Sequence, residues 1–375
     1  MEMKKYKLRE LLTIKNGKDH KQLKEGVYPV LGSGGVMRYV DTFLYDKPSV
    51  LLPRKGTLNN IQYSDKPFWT VDTLYYTEVN QDLTDTYYLF NYLKLLDLSN
   101  LDSGTGVPSM TFDSYYNLSV NLPSLKNQNK IATILAHIDK KISINRQINR
   151  NLEELAKQIY DYWFVQFDFP NEEGKPYKSS GGKMVYNELL KRKIPEGWEV
   201  KSISDILDKY PMTRKFPTNE YLQTGKYPII DQDSSSFIAG YTNEDDVLKR
   251  YPAVLFGDHS TCVKFVNFEF GRGADGTQIL YSNDERIKPY YLYLFVKKLQ
   301  IPNPGYSRHF KYLKELSILI PSKKLAEVFE EKICPMYTEK TELDKQITQL
   351  SVFRDSLLPL LMNGQVTLNS CLSHD

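Results

Sequence analysis

Cysteine is scarce. The 375 residues hold three, Cys262, Cys334 and Cys371, far apart and in no metal-ligand spacing. Such a set argues against a disulfide framework or a structural zinc site and fits a reducing compartment, with the cytoplasm as the natural expectation. Long hydrophobic runs are also missing. Residues Met1 to Leu12 alternate charged and apolar side chains, which excludes a signal-peptide core there, and no stretch approaches the ~20 apolar residues of a membrane helix. The expectation is a soluble chain with no membrane partner. Nor is there an excess of one charge: 49 Lys and Arg against 46 Asp and Glu leave +3. A nucleic-acid partner would have to be met by local basic patches, because whole-chain attraction is weak. The five histidines, His20, His137, His259, His309 and His374, form no metal spacing, and no carboxylate cluster with a lysine marks a nuclease centre. Asp65-Lys66 and Asp258-His259 are isolated pairs that read as turns. What the chain does have is 41% apolar residues and length enough for two or three domains with real cores.

A further absence is local. Neither Pro nor Gly interrupts Ser124 to Phe169, a run bounded by Pro123 and Pro170. Within it Ile131, Ile134, Ile138, Ile148, Leu152, Leu155 and Ile159 fall at helical steps. At ~1.5 Å per residue, roughly forty residues make a rod about 60 Å long. Lys141 and Asn145 lie on the same seam, where polar residues fix register and partner at some cost in stability.

The segments on either side of this rod repeat each other. Before it come a short helix or turn over Lys7 to Ile14, then Tyr28-Pro29-Val30-Leu31 and the Gly-rich turn Gly32 to Gly35. Next are the apolar strand Pro48 to Leu52, a strand near Thr70 to Thr77, a short helix near Thr86 to Leu96, and Leu118 to Pro123. After it Ile203 to Leu207 answers the first short helix, and Tyr227-Pro228-Ile229-Ile230 answers Tyr28 to Leu31 at an offset of 199. Pro252 to Phe256 answers Pro48 to Leu52, Tyr290 to Leu294 answers the aromatic helix at Tyr87, and Leu316 to Pro321 answers Leu118 to Pro123. Five matches in one order point to an internal duplication. Beyond Pro321 the helical pattern returns, with Leu325, Phe329, Ile333, Leu343, Ile347, Leu350, Phe353 and Leu357. Pro335 is predicted to kink or split this second helix, and Pro359 to bend its end.

The expected fold is therefore α+β. Two globular units related by duplication are separated by two long antiparallel, coiled-coil-like helices, with Ile131, Ile134, Ile138, Lys141, Asn145, Ile148, Leu152 and Leu155 facing Leu343, Ile347, Leu350, Phe353 and Leu357. Such an object is shaped to touch two places at a set distance, and DNA with two half-sites is the natural target.

A family resemblance enters at the linker. Tyr162-Trp163-Phe164-Val165-Gln166-Phe167-Asp168-Phe169-Pro170, Gly174-Lys175-Pro176-Tyr177 with Ser179-Ser180-Gly181-Gly182-Lys183-Met184, and Ile194-Pro195-Glu196-Gly197-Trp198 resemble the specificity subunit of type I restriction-modification systems. Gly104 to Ser109, Leu122-Pro123 with Gln128 and Ile131, and Ser356 to Leu361 with Gly364 extend the likeness over nearly the whole chain. Two features depart from it: the first unit has no counterpart of Ile194 to Trp198, and Pro335 interrupts the second helix. The resemblance implies target recognition domains at 1–123 and 198–321, conserved spacer helices at 124–169 and 322–365, a linker at 170–197 and a tail at 366–375. It also implies a non-catalytic chain that binds double-stranded DNA, holds two methyltransferase subunits and joins restriction/translocase subunits. S-adenosylmethionine, ATP and Mg would then belong to those partners, with no cofactor in this chain.

Three stretches invite an enzymatic reading. Asn303-Pro304-Gly305-Tyr306 is like the Asn-Pro-Pro-Tyr motif that holds a flipped adenine, but it occupies the place of Gly104 to Ser109 in the repeat and reads better as a recognition loop. Gly32 to Gly35 and Phe270 to Gly273 lack the strand, helix and acidic residue of a cofactor-binding glycine loop. A fused methyltransferase or nuclease, and a protein-binding scaffold, are the alternatives. Residues with base- or phosphate-reading chemistry are Ser33, Arg38, Arg54, Lys55, Asn59, Asn60, Thr105 and Ser109 in the first unit. In the second they are Ser235, His259, Lys264, Arg272, Ser307, Arg308 and His309. Neither the target sequence nor the gap length follows from these residues.

Overall fold

The computed structural model describes residues 2–98, 109–210, 212–299, 301 and 308–366. They form two compact units, one made of 1–147 with 344–375 and the other of 148–343. The first unit begins with β1 (Lys4–Lys7), α1 (Leu8–Leu11), β2 (Leu12–Lys15), β3 (Tyr28–Gly32) and β4 (Gly35–Val40). It continues through β5 (Ser49–Pro53), β6 (Gln62–Ser64), β7 (Trp69–Thr70), β8 (Leu74–Val79), α2 (Thr86–Lys94), α3 (Phe112–Tyr116) and β9 (Ser119–Leu122). Strand β5 is buried along its whole length and sits inside the sheet β2-β8-β5-β6, as an unbroken apolar run requires. A smaller sheet, β4-β3-β7, lies alongside it in the fold order. Helix α2 starts where the Asp85 carboxylate accepts the Tyr88 amide at 2.8 Å. Strands β1 and β9 pair antiparallel, Lys4 opposite Leu122, so the unit closes where the chain leaves for α4 (Leu125–Tyr160).

That exit is pinned by one side chain. Gln128 is 1% exposed. Its Oε1 accepts Thr84 Oγ1 at 2.8 Å and the Asp85 amide at 3.1 Å, while its Nε2 donates to the carbonyls of Leu83 at 3.2 Å and Pro123 at 2.9 Å.

The second unit holds β10 (Met184–Asn187), β11 (Arg192–Pro195), β12 (Glu199–Ser202), α5 (Ile203–Ile206), β13 (Lys215–Phe216), β14 (Tyr227–Ile230) and β15 (Gly240–Thr242). Then follow β16 (Ala253–Gly257), β17 (Val263–Val266), β18 (Gly271–Gly273), β19 (Thr277–Leu280), α6 (Pro289–Lys298), α7 (His309–Glu315), β20 (Ser317–Ile320) and α8 (Lys323–Met362). The pairing repeats that of the first unit. Strand β16 lies between β17 and β19 as β5 lies between β6 and β8, β14 pairs parallel with β18 as β3 does with β7, and β12 pairs with β20 as β1 does with β9. The linker motif turns out to be core. A π turn at Asp161–Val165 ends α4 and buries Trp163 and Phe164, and Phe169 stacks on Trp198 with ring centroids 5.4 Å apart. Phe329 of α8 completes this cluster, 4.8 Å from Phe164 and 5.6 Å from Trp163.

Each unit contains its own antiparallel pair of segments from the two long helices. In the first, Asn145 Nδ2 donates to Gln346 Oε1 at 3.2 Å and Arg354 bonds Asp139 at 2.6 Å, so residue numbers fall on α4 as they rise on α8. In the second, Tyr160 meets Phe329 and Ala156 shares the core with Ile333 and Tyr337. The buried line on α4 runs through Ile131, Leu135, Ile142, Asn145, Asn149, Ala156 and Tyr160. This corrects the sequence-derived seam: Lys141 is exposed, as are Ile148 at 38% and Leu155 at 43%, while Ile134, Ile138 and Leu152 are half-buried. A seven-residue repeat drifts by ~20° per turn pair around an undistorted helix, which moves the contact line one position along. On α8, Leu343 is buried, Ile347, Leu350 and Leu357 are half-buried, and Phe353 is 54% exposed. The helix continues through Pro335, so the proline does not split it.

Two predictions follow from these joints. Gln128→Ala strips partners from four buried or half-buried groups at once and should lower the stability of the first unit by on the order of 3 kcal/mol, read as an earlier calorimetric transition; an unshifted scan would contradict the joint. In the second unit, Glu330 on α8 accepts the Tyr290 amide at the start of α6 at 3.2 Å, and burial pushes its carboxyl up to about 7. The folded state therefore holds this proton more tightly than the unfolded chain, and stability falls as pH rises from ~4.5 to about 7 and stays lower above it. Glu330→Gln should flatten that part of the pH–stability curve and raise the midpoint at pH 8.

Candidate nucleic-acid interface

In the first unit three loops meet at one cleft. The amides of Arg54 and Lys55 donate to the Thr73 carbonyl at 2.9 and 3.4 Å, and the Met110 amide donates to the Arg54 carbonyl at 2.9 Å. A β-bridge between Lys55 and Ser109 brings the segment before α3 against the β5–β6 loop. The result is an open cavity of about 350 Å³ lined by Asn16, Arg54, Lys55, Ser109 and Thr111, with Tyr75, Met110 and Phe112 as its apolar part. Among the described residues that line it, Arg54 and Lys55 are cationic and none is acidic, so this described lining is positive although the chain is nearly neutral. The Arg54 guanidinium lies 6.0 Å from the Tyr75 ring centroid, and burial raises the Tyr75 phenol, which stays neutral. Asn59 is exposed on the same loop.

Other first-unit candidates hold the scaffold. Asn60 Nδ2 donates to the Ser33 carbonyl at 2.6 Å, tying the β3–β4 turn to the β5–β6 loop. The two are so close that a Cβ on Gly56, whose φ is +86°, would come within 3.3 Å of Ser33 Oγ. Arg38 donates to the Leu23 carbonyl at 2.7 Å and is half-buried. Thr105 lies outside the described residues.

In the second unit the organising residue is one that residue type alone did not single out. Gln232 Oε1 accepts the His259 amide at 2.9 Å, its Nε2 donates to the Asp275 carbonyl at 2.8 Å, and its carbonyl accepts Ser260 Oγ at 2.6 Å. One side chain thus fastens the loops after β14, β16 and β18. The only sequence signal for it is its place two residues after the repeated strand that ends in Ile229-Ile230. Asp258 adds a fourth segment: its carboxylate accepts the Phe310 amide at 2.8 Å and its carbonyl accepts the His309 amide at 2.9 Å.

Three second-unit candidates are interior. Arg272, 5% exposed, directs Nε and Nη2 to the Thr277 carbonyl at 2.9 and 2.5 Å. Lys264, 7% exposed, donates to the Ser236 carbonyl at 2.8 Å, and burial pulls its ammonium below the ordinary value. His309 is fully buried. In this conformation none of the three offers a donor to a nucleic acid, because residue type signals the chemistry of a donor but not what it faces. His259, Ser235 and Arg308 are exposed, Ser235 with its hydroxyl on Asp233 at 2.6 Å. Ser307 and the stretch Asn303 to Tyr306 lie outside the described residues. Among the described residues no His, Cys, Asp and Glu group is arranged to hold a metal, and no helix is long and apolar enough to cross a membrane.

Comparison with known proteins matches this architecture. The family model of the type I restriction modification DNA specificity domain matches residues 1–154 and again 195–349, once in each half of the repeat. The chain is 25% identical over 352 residues to the type I restriction enzyme MjaIX specificity subunit of Methanocaldococcus jannaschii, covering 86% of this chain and 78% of that one. It is 26% identical over 357 residues to the HindI specificity subunit of Haemophilus influenzae, covering 73% and 74%. The crystal structure of a type I restriction-modification S subunit from M. genitalium shares the fold, with a TM-score of 0.69 over 96% of both chains at 18% identity. With most of its length matched in two copies, the chain belongs to the type I restriction-modification DNA specificity family, as a specificity subunit with two recognition domains.

Proposed function

We propose that this chain selects the DNA site of a type I restriction-modification complex by reading a split duplex target. Each recognition domain reads one half, the paired helices set the unread gap, and the chain performs no chemistry itself. The observation that carries this reading is the duplication: the orders β6-β5-β8 and β4-β3-β7 recur as β17-β16-β19 and β15-β14-β18, each copy continues directly into a long helix, and the loops that top the two copies differ. Equal scaffolds with unequal loops suit two unlike half-sites. The positive cleft around Arg54 and Lys55 suits phosphate contacts in the first half.

Partner docking belongs to the same proposal. Ile148, Leu155 and Tyr162, 38%, 43% and 40% exposed, recur every seven residues along one side of the second-unit part of α4 and its end. Lying outside the helix–helix seam, they offer an apolar stripe for methyltransferase subunits. S-adenosylmethionine, ATP and Mg then enter through the methyltransferase and restriction/translocase partners, in the cytoplasm where their DNA is.

The ruler is directly testable. Removing seven residues from each helix keeps the seam in phase and shortens the pair by about 10 Å. At ~3.4 Å per base pair the gap in the selected target should shrink by about three base pairs, with both half-site preferences intact. Changed half-sites with an unchanged gap would contradict the role of the helices.

A further inference from the structure

The same hairpin in both units carries a partly exposed apolar tip, in the second with Phe237 edge-on to Phe268 at 6.3 Å, and the same strand position in both units holds that tip from beneath. In the first unit the β3–β4 hairpin turns at Gly32 to Gly35, and its register shifts so that Val36 faces Leu31 and Arg38 faces Val30. Met37 is left as the bulged residue between them, a device that re-aims side chains. Val36 and Met37 are 56% and 58% exposed. In the second unit the β14–β15 hairpin presents Phe237 and Ile238, 46% and 37% exposed, just before β15. Single exposed apolar residues are ordinary, but with Arg38 opposite Val30 and Gly240 opposite Ile229 in the equivalent strands, Val36 and Ile238 fall at one position of the repeat, each beside a second exposed apolar residue.

The tether is repeated too. Leu51 of β5 is opposite Gln62, and Leu255 of β16 is opposite Lys264. Because β5 and β16 are equivalent strands, Gln62 and Lys264 occupy one position in the two copies. Gln62 Nε2 donates to the Gly32 carbonyl at 2.8 Å, and Lys264 Nζ donates to the Ser236 carbonyl at 2.8 Å and the Phe237 carbonyl at 3.4 Å. Two unlike side chains thus do one job: each fixes the backbone of the tip from inside the unit. Burying a lysine is costly, and the Asp231 carboxylate 3.9 Å from Lys264 Nζ offsets part of that cost.

We propose that these hairpin tips are base-contacting elements of the two recognition domains, reading thymine methyl groups in the major groove, and that Gln62 and Lys264 are their positioning residues. The inference rests on the DNA-reading function proposed above. A two-stranded ribbon fits the major groove, and an apolar side chain recognises there the C5 methyl that only thymine presents. Each tip adjoins groups suited to the surrounding polar contacts. Asn60 ties the first to the loop of Arg54 and Lys55, and Gln232 ties the loop of the second to His259 and Ser260.

The test is selection of bound duplexes from a random-sequence pool by the full chain assembled with its methyltransferase subunits, followed by sequencing. Phe237→Ser with Ile238→Ser should weaken thymine preference in one half-site on the order of tenfold and leave the other half unchanged. Val36→Ser with Met37→Ser should do the same in the opposite half. Lys264→Met, which removes the donor but keeps the stem, should blur the same half-site as the Phe237 and Ile238 variant, and Lys264→Arg should restore it. Both tip variants alter partly exposed residues outside the main cores, so each should still unfold in one cooperative transition, with a small loss of stability for the Phe237 and Ile238 variant that gives up the Phe268 contact. Unchanged base preference in both tip variants would overturn the proposal. So would loss of methyltransferase retention with base preference intact, which would make the tips a protein-docking surface. If the parent chain itself selects no split sequence, the DNA-reading function falls first and the tips with it.

Discussion

The buried carboxamide of Gln128 carries the joint on which the first recognition domain depends. A reader attached through a loose hinge has no fixed distance to anything else. By joining the α2 entry, the end of β9 and the first turn of α4, four hydrogen bonds make the helix an extension of the domain. The second domain solves the same problem with different chemistry. There Phe329 of α8 sits among Trp163, Phe164 and Tyr291, so aromatic packing replaces the polar clamp. Position 326, the counterpart of Gln128 by the 198-residue offset of Leu118 and Leu316, is a buried alanine that could not make such bonds.

Much of the architecture was legible in the sequence because it rests on patterns longer than local propensity. The repeat of Tyr28-Pro29-Val30-Leu31 as Tyr227-Pro228-Ile229-Ile230 marks equivalent strands, and the Pro- and Gly-free run after Pro123 marks a helix of the right length. The phase of the helix seam was not legible. Ile148 and Leu155 satisfy a seven-residue pattern as well as Asn149 and Ala156 do, and apolarity favoured the wrong set. The buried line admits Asn145 because the side chain facing it across the seam is polar as well, as the Asn145–Gln346 bond shows.

Site residues were legible as chemistry and not as placement. Arg54 and Lys55 come together with Ser109 only through long-range backbone bonds to Thr73 and Met110. Arg272 and Lys264 have the residue types of DNA contacts, yet each is folded inward onto a carbonyl. The equivalence of Gln62 and Lys264 is invisible in the letters and becomes plain only when β5 and β16 are laid in the same register. In both copies the fixed framework ends at loops held by half-buried or buried polar side chains, Asn60 and Gln62 in the first and Gln232 and Lys264 in the second, which lets the exposed positions differ without loosening the reader.

If two unlike readers on one scaffold select a split target, as proposed above, methylation in the source genome must depend on this chain in a specific way. Methylated adenines mapped with and without the gene for this chain should differ by one two-part motif, with two defined halves around an unread gap of fixed length, which disappears when the chain is absent. Loss of an uninterrupted motif, or no loss at all, would contradict it.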